Sequence, residues 1–113
     1  MTWHDAKQKC EDLGGHLAII ASKEEDNFVL SLARKEDLAE IYLGATDEQK
    51  EGRWIWVSGQ TMTYSHWGPQ QPSNHFGTEH YLTLRLQPKH NGCWNDLPDV
   101  FQEYKIGFVC QWD

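Results

Sequence analysis

The segment from Ser58 to His80 has neither the three-to-four-residue apolar spacing of a helix nor the alternation of a strand. Glycine and proline recur along it, at Gly59, Gly68, Pro69, Pro72 and Gly77. Irregular connections longer than about 12 to 15 residues are usually functional or disordered in compact domains. Tyr64, Trp67 and Phe76 lie within the segment and favour order, because disordered segments contain few aromatic residues. The fold must therefore support a long, ordered, irregular loop.

The composition is that of one globular domain. The 113 residues fit a single domain, so we expect one domain over residues 1–113. A hydrophobic content of 39% and six tryptophans exclude a disordered chain. A net charge of -7 without a Lys/Arg cluster argues against a nucleic-acid partner, because such affinity depends on basic side chains that neutralise phosphates.

No apolar run is long enough to cross a membrane, which takes about 18 residues, so we expect no direct membrane insertion. The opening "TWHDAKQKC" lacks the basic start and apolar middle of a signal peptide. We therefore expect the chain to be a domain excised from a longer protein whose compartment signal lies elsewhere.

Two helices are predicted near the N-terminus. The first lies in "TWHDAKQKCEDLGG", where the apolar positions are Trp3, Ala6, Cys10 and Leu13 and a glycine pair ends the helix. The run "HLAII" is typical of a strand. The second helix lies in "SKEEDNFVLSLARK", which opens with Ser22 and Glu25 in capping-box spacing. Its predicted apolar side carries Phe28, Val29 and Leu32.

Strand-like runs replace the helical period from Ile41 onward. They cover residues 41–43, 54–57, 81–86 and 106–110. Helices followed by strands indicate an α+β domain.

The chain has three cysteines, Cys10, Cys93 and Cys110, and no C-x-x-C pair typical of a zinc or redox site. A bond between Cys10 and Cys110 would join the two ends of the domain and would indicate an oxidising compartment. Three buried, reduced thiols are the alternative. The cysteine count alone leaves both open.

The order of motifs resembles that of C-type lectin domains. The motifs are the helix with a cysteine, "GGHLAIIASKEE", "YLGATDEQKEGRWIW", a proline-bearing loop, "WND" and a closing "FVC". "YLGA" is similar to the W-I-G-L core motif of that family, with Tyr42 for Trp and Ala45 for Leu. "CWNDLP" keeps the W-N-D motif, and "QPS" stands where the family has E-P-N or Q-P-D. The set covers nearly the whole chain.

The resemblance implies an α+β C-type lectin-like fold, in which two helices flank small antiparallel sheets and a long loop region binds calcium and ligand. It also implies a disulfide between Cys10 and Cys110. Three departures are visible. The family's first strand is expected to be missing upstream; Tyr81 and Asp99 stand where the second disulfide of the family would be; and Cys93 is left unpaired or intermolecular.

A calcium site is implied in the long loop, since Ca²⁺ takes six to eight oxygen ligands. By motif position its ligands are Gln71, Ser73, Glu79, Asn95 and Asp96. In the family a cis peptide before the motif proline directs both flanking side chains at the metal, and X-Pro is where a cis bond costs little. Ser73 offers only a hydroxyl, so weak calcium binding is expected. A polar loop that caps turns without metal is the alternative.

An auxiliary calcium site is implied in the loop after "YLGA". Asp47 and Glu51 have the matching spacing, and Asn74 and Glu79 would complete the site. His80 replaces an acid often found there in the family. The alternative interpretation is that Asp47 and Glu51 are solvated surface charges without a metal.

Carbohydrate binding is the function that the resemblance implies, with a glycan as partner. The expected ligand-binding residues are Gln71, Ser73, His75, Phe76, Glu79 and Asn95. In the family E-P-N accompanies mannose-type sugars and Q-P-D galactose-type sugars, so Gln71 favours galactose slightly. His75 or Phe76 would supply a ring for the apolar face of the sugar.

A lectin-like domain that binds a protein or another surface without calcium is the second hypothesis, because a fold does not fix a function. An enzyme is not expected. The histidines form no H-E-x-x-H motif, and no nucleophile has a base at motif distance. An extracellular or secreted domain, or the ectodomain of a larger protein, is the expected localisation.

Overall fold

The structure, a computed structural model, describes residues 2–69, 71–74, 77–86, 92–99 and 106–112. Two helices and seven short strands follow one another along these residues, which gives an α+β fold. In chain order they are α1 (Trp3–Asp12), β1 (His16–Leu17), α2 (Lys23–Ala33), β2 (Glu40–Thr46), β3 (Ile55–Trp56), β4 (Tyr81–Arg85), β5 (Trp94–Leu97), β6 (Ile106–Phe108) and β7 (Cys110–Gln111). No helix among the described residues is both long and apolar enough to span a membrane.

Helix α1 begins in a full capping box. The Thr2 hydroxyl accepts the Asp5 N–H, and the Asp5 carboxylate accepts the Thr2 N–H, so two otherwise unpaired backbone donors are satisfied. Trp3, Ala6 and Cys10 are buried, as their spacing predicts. The same pattern wrongly includes Leu13, which is exposed because the helix has ended before it.

Helix α2 differs from its prediction on the side that faces the core. Ser22 caps it by accepting the Glu25 N–H. Of the predicted apolar side only Val29 is buried, whereas Phe28 and Leu32 are exposed. The polar residue Asp26 lies inside instead. The apolar spacing alone placed the buried face about one residue out of register.

The main sheet is built around β2, in the order β3-β2-β4-β5, and β6 pairs with β2 as well. All of its pairs are antiparallel except β2 with β6, which run parallel. Strand β5 is the "WND" motif itself, a strand that the predicted strand-like runs do not include. A second sheet pairs β1 with β7 and so joins the two ends of the domain.

Gly44, within the "YLGA" run, is where the two sheets meet. A Cβ atom at this position would lie 2.8 Å from the Leu17 carbonyl oxygen. The Gly44 N–H instead donates to the Ala18 carbonyl at 2.8 Å. Glycine is required here because the two backbones approach too closely for any side chain.

The Cys10–Cys110 disulfide is present, with the two Cα atoms 5.4 Å apart, and Cys93 is a free, half-buried thiol. The alternative of three reduced thiols is therefore wrong. The bond ties α1 to β7 and sits in a cluster with Trp3, Leu17 and Tyr42.

His4 lies between Tyr81 and Asp99, the two positions that correspond to the second disulfide of C-type lectin domains. Its ring centroid is 5.2 Å from that of Tyr81, and its Nδ1 is 3.1 Å from an oxygen of Asp99. Its Nε2 is 3.2 Å from Glu48, which also accepts a hydrogen bond from the Tyr81 hydroxyl. Non-covalent contacts around one histidine thus hold the segments that a disulfide would join.

The Asp26 carboxylate is the buried anchor of the long loop. It accepts hydrogen bonds from the Trp94 indole at 3.0 Å, the Tyr64 hydroxyl at 3.0 Å and His66 Nδ1 at 2.8 Å. Desolvation, and then the bond to Asp26, raise the pKa of Tyr64 to about 12, so this hydroxyl stays a donor. One carboxylate therefore connects α2, the long loop and β5.

Backbone bonds extend this attachment along β5. The Trp94 N–H donates to the His66 carbonyl at 2.7 Å, and the Gly68 N–H donates to the Trp94 carbonyl at 3.0 Å. The centroid of the Trp67 ring lies 6.1 Å from that of Trp94 and 5.0 Å from that of Trp54. The long loop is thus ordered up to Gly68, as Tyr64 and Trp67 predicted.

For the disulfide, we expect thiol titration of the denatured, unreduced protein to find one free thiol per chain, that of Cys93. Replacing both Cys10 and Cys110 by serine should lower the free energy of unfolding by about 4 to 5 kcal/mol, because the loop that the bond closes has ~100 residues. Denaturant titration measures the loss. In the control Cys93→Ser the free thiol disappears and the disulfide remains. Three free thiols in the parent would contradict the pairing.

For the buried anchor, we expect Asp26→Ala to lower the free energy of unfolding by about 3 kcal/mol or more, since three donors lose their acceptor and the Trp94 indole is fully buried. The control Glu24→Ala, on the exposed side of the same helix, should stay within about 0.5 kcal/mol of the parent. Chemical denaturation followed by tryptophan fluorescence measures both. A loss below about 1 kcal/mol for Asp26→Ala would show that the donors find water or other partners.

Candidate functional site

The "QPS" motif lies beside β5 and the start of β4. The Gln71–Pro72 peptide bond is cis, as the resemblance implied. The Ser73 N–H lies 3.0 Å from the Gln71 amide oxygen and 2.9 Å from Asp96 Oδ1. The two residues that flank the proline therefore share one small polar volume with Asp96.

Ser73 is the centre of this volume. Its hydroxyl donates to Glu79 Oε1 at 2.6 Å and lies 3.5 Å from Asp96 Oδ1. Four of the five predicted calcium ligands, Gln71, Ser73, Glu79 and Asp96, are thus brought within hydrogen-bond reach of one residue. The fifth, Asn95, lies next to Asp96 on β5 and is buried.

The Asp96 carboxylate is fully buried and is held by backbone donors. Oδ1 accepts the Ser73 N–H, and Oδ2 accepts the Asn74 N–H at 2.7 Å. Burial raises the pKa of Asp96, with a further contribution from the charge of Glu79, while the two backbone bonds act in the opposite direction. The cluster therefore places the carboxylates of Glu79 and Asp96 close to one another, and an added cation would be favoured there.

The donor set fits calcium in its chemistry. Carboxylate, amide and hydroxyl oxygens are the ligands that this hard ion prefers. Two carboxylates, Glu79 and Asp96, supply the formal charge, and Gln71, Ser73 and Asn95 would supply neutral oxygens. With so few charged ligands the affinity expected is that of extracellular modules, in the range of about 10⁻⁴ to 10⁻³ M.

The predicted auxiliary ligands divide into two groups. Asp47 and Glu51 do lie together, with His80 between them, and ligand atoms of the three are all within 4.8 Å of one another. Asn74 lies beside the "QPS" motif, where its amide oxygen accepts the Glu79 N–H at 3.3 Å. Asp47 is buried rather than a solvated surface charge, so that reading of Asp47 is wrong.

The pKa values of this second group reflect its crowding. Burial and a hydrogen bond with Asp47 raise the pKa of Glu51. Burial of the His80 ring opposes its charge, but the hydrogen bond and charge of Asp47, with smaller contributions from the Gly77 carbonyl and Glu51, raise the pKa of His80 overall.

The remaining predicted ligand-binding residues, His75 and Phe76, lie outside the described residues. Sequence reasoning did not find Asp26, whose signal was its place three residues before Val29, on the same face of α2. It also treated His80 only as a lost ligand, although its position next to Glu79 indicated a place in the site.

Comparison with known proteins agrees with this geometry. The family model described as "Lectin C-type domain" matches residues 1–112. Perlucin from Haliotis laevigata is 43% identical over 93 residues, which are 81% of this chain and 59% of perlucin. The chain thus spans less than two thirds of that relative, and the activity of the whole relative is not transferred to it.

Solved structures show the same fold. The cow C-type carbohydrate-recognition domain of CD23, determined in the presence of a GlcNAc2Man3 oligosaccharide, has a TM-score of 0.80 at 30% identity, covering 97% of this chain and 78% of that one. A calcium-independent type II antifreeze protein also has a TM-score of 0.80, at 27% identity and with coverages of 97% and 77%. Such domains bind ligands and are not enzymes. The match of the family model over almost the whole sequence, together with the fold, shows that this chain belongs to the C-type lectin domain family.

Proposed function

We propose that this domain binds carbohydrate through a calcium ion held by Gln71, Ser73, Glu79, Asn95 and Asp96. The observation that carries the proposal is the convergence of oxygens on Ser73, whose N–H and hydroxyl reach Gln71, Glu79 and Asp96 within 3.5 Å. When bound, calcium supplies coordination positions for sugar hydroxyls. The protein residues around it hold the ion and offer hydrogen bonds to the same hydroxyls.

The electrostatics support a cation at this place. Asp96 is fully buried near the Glu79 carboxylate, and the whole chain carries a net charge of -7. Placing two carboxylates close together in a poorly hydrated site costs free energy unless a positive charge is present. A bound dication removes that cost and stabilises the native state by mass action.

The proposed preference among sugars is small. Gln71 has the amide found in the Q-P-D pattern that accompanies galactose-type sugars, but Ser73 matches neither that pattern nor E-P-N. We therefore propose a small preference for galactose-type ligands, with His75 or Phe76 as the ring under the sugar. The partner is a glycan outside the cell or on its surface.

A second function is favoured by one specific contact. The Ser73 hydroxyl already bridges Glu79 and Asp96, which closes the cluster without a metal. A domain of this fold can bind another surface without calcium, as the calcium-independent antifreeze protein of the same fold indicates. Calcium dependence of ligand binding distinguishes the two functions.

We expect a glycan array to give signal in millimolar calcium and none with chelator. Glu79→Gln should abolish the signal, because it removes one of two charged ligands while keeping an oxygen at nearly the same place. Asp37→Asn, an exposed acid in the turn after α2, is the matched control and should keep the signal. Binding that is equal with calcium and with chelator would overturn the calcium proposal, and absence of any glycan signal would favour the second function.

We expect Ser73→Asp to strengthen calcium binding by about tenfold, which is the effect of roughly 1.4 kcal/mol. The new carboxylate would stand close to Glu79 and Asp96, so without calcium the variant should be less stable than the parent. The melting temperature should therefore fall in chelator and rise more steeply with added calcium. Calorimetric titration with calcium gives the affinity directly.

The size-matched control for this variant is Ser73→Asn, which adds an amide oxygen without charge. It should leave the stability in chelator closer to that of the parent. If Ser73→Asp binds calcium no better than the parent does, the loop is not arranged around a metal ion.

A further inference from the structure

A groove, here called the tryptophan groove, lies between residues 52–54 and the first part of the long loop. Its volume is about 360 Å³, within the range of about 300 to 1,000 Å³ that is usual for small-ligand sites. Its lining includes two indole rings, three hydroxyl groups and one guanidinium group, those of Trp54, Trp67, Thr61, Thr63, Ser65 and Arg53. We propose that the groove is a second sugar subsite, which binds a further residue of a glycan whose terminal sugar lies at the proposed calcium site. This inference rests on the proposed carbohydrate function and assigns it an extended ligand.

The three hydroxyl groups form a row along the long loop. Exposure alternates here, so that Thr61, Thr63 and Ser65 are exposed whereas Met62 and Tyr64 are half-buried and pack against the core. The Met62 N–H donates to the Trp54 carbonyl at 3.1 Å, which fixes the row beside Trp54. Within the part of the chain that the structure describes, none of the three hydroxyl groups forms a hydrogen bond. All three are therefore available to the hydroxyl groups of a sugar.

Trp54 and Trp67 supply the aromatic surface of the groove. Their ring centroids lie 5.0 Å apart with an angle of 57° between the planes, and Trp67 is only half-buried. The apolar face of a sugar ring gains from leaving water at such a surface. The Trp54 indole N–H is buried and has no acceptor among the described residues. Because an unpaired buried donor is costly, a sugar oxygen beside Trp54 that accepted this hydrogen bond would add to the affinity.

Arg53 adds several donors to the rim of the groove. Its side chain is exposed and forms no ion pair with a described residue, so the guanidinium N–H groups can donate to sugar oxygens. The acids Asp47 and Glu51 belong to the same connection between β2 and β3. Their charges oppose an anionic ligand, and the groove therefore fits a neutral sugar better than an acidic one.

The tryptophan groove continues into the candidate calcium site. Gly68 directly follows Trp67, and its carbonyl accepts the Gln71 N–H at 3.0 Å. Four residues of chain keep the Cα atoms of Trp67 and Gln71 within about 14 Å of one another. A short oligosaccharide spans that distance. One glycan can therefore reach both places.

The experiment is calorimetric titration in millimolar calcium with two pairs of probes, galactose with lacto-N-neotetraose and mannose with mannotetraose. In the pair that binds, we expect the tetrasaccharide to bind about tenfold more tightly than the monosaccharide, an effect of roughly 1.4 kcal/mol. The NMR signal of the Trp54 indole N–H should shift with the tetrasaccharide and not with the monosaccharide.

Two variants test the groove itself. Thr63→Tyr fills it with a ring, and Arg53→Gln removes the guanidinium group. Each should reduce the advantage of the tetrasaccharide to less than about threefold and leave the affinity for the monosaccharide unchanged. The matched control is Arg34→Gln, at the exposed end of α2, which should keep the full advantage.

Equal affinities of the parent for monosaccharide and tetrasaccharide would overturn the subsite and leave the carbohydrate proposal intact. An advantage of the tetrasaccharide that both groove variants keep would also overturn it, because the added contacts would then lie elsewhere. If no probe binds in calcium, the proposed function fails, and the subsite fails with it. The melting temperature of each variant shows whether it is folded, and if Thr63→Tyr is not, Arg53→Gln decides.

Discussion

A single buried carboxylate, that of Asp26 on α2, attaches the long irregular loop and β5 to that helix. It replaces water for three donors, the Tyr64 hydroxyl and the His66 ring of the long loop and the Trp94 indole of β5. A charged group inside an apolar cluster is costly unless it is fully hydrogen-bonded, and here the number of donors offsets that cost. Because Trp94 begins the strand that carries Asp96, the anchor also fixes the position of the candidate calcium site.

The candidate site depends on close packing of acidic side chains beside β5 and the start of β4. Glu79 and Asp96 meet around Ser73, while Asp47 and Glu51 meet around His80. The charge of Asp96 reaches Glu51 and adds to the rise in its pKa, so the two clusters are electrostatic neighbours. Each cluster reduces its repulsion differently, one by a serine hydroxyl and the other by an imidazole.

The ends of the domain are held by a disulfide and by strand pairing. The Cys10–Cys110 bond and the pairing of β1 with β7 join the first helix to the last strand. A short network through His4 links α1 to the segments that contain Glu48, Tyr81 and Asp99. Exposed ion pairs of this kind contribute little individually. The covalent bond therefore supplies most of the restraint on the ends, and the histidine network sets the local geometry.

The sequence by itself determined the class of fold, the two helices, the pairing of Cys10 with Cys110 through the family resemblance, and the identity of the polar residues around Pro72. The helices follow from the local spacing of apolar residues. The fold class, the disulfide and the polar residues follow from motifs that keep their order along the chain although some of their residues differ from the family pattern. Apolar spacing did not determine which side of α2 is buried, because Asp26 faces inward only when donors from distant segments are present. It also missed β5, since the strand pairing of "WND" depends on a partner strand rather than on alternation.

Only the tertiary structure decided which oxygens meet. Ser73 and Asp96 are 23 residues apart, and Asp47 and His80 are 33 apart, so their contacts exist only after the sheet has aligned β2, β4 and β5. Sequence assigned Asn74 to the auxiliary group and His80 to a lost ligand. In the structure the Asn74 amide oxygen accepts the Glu79 N–H, and the start of β4 places the His80 ring beside Asp47. Distances between side chains on different strands are set by strand register, which no single segment encodes.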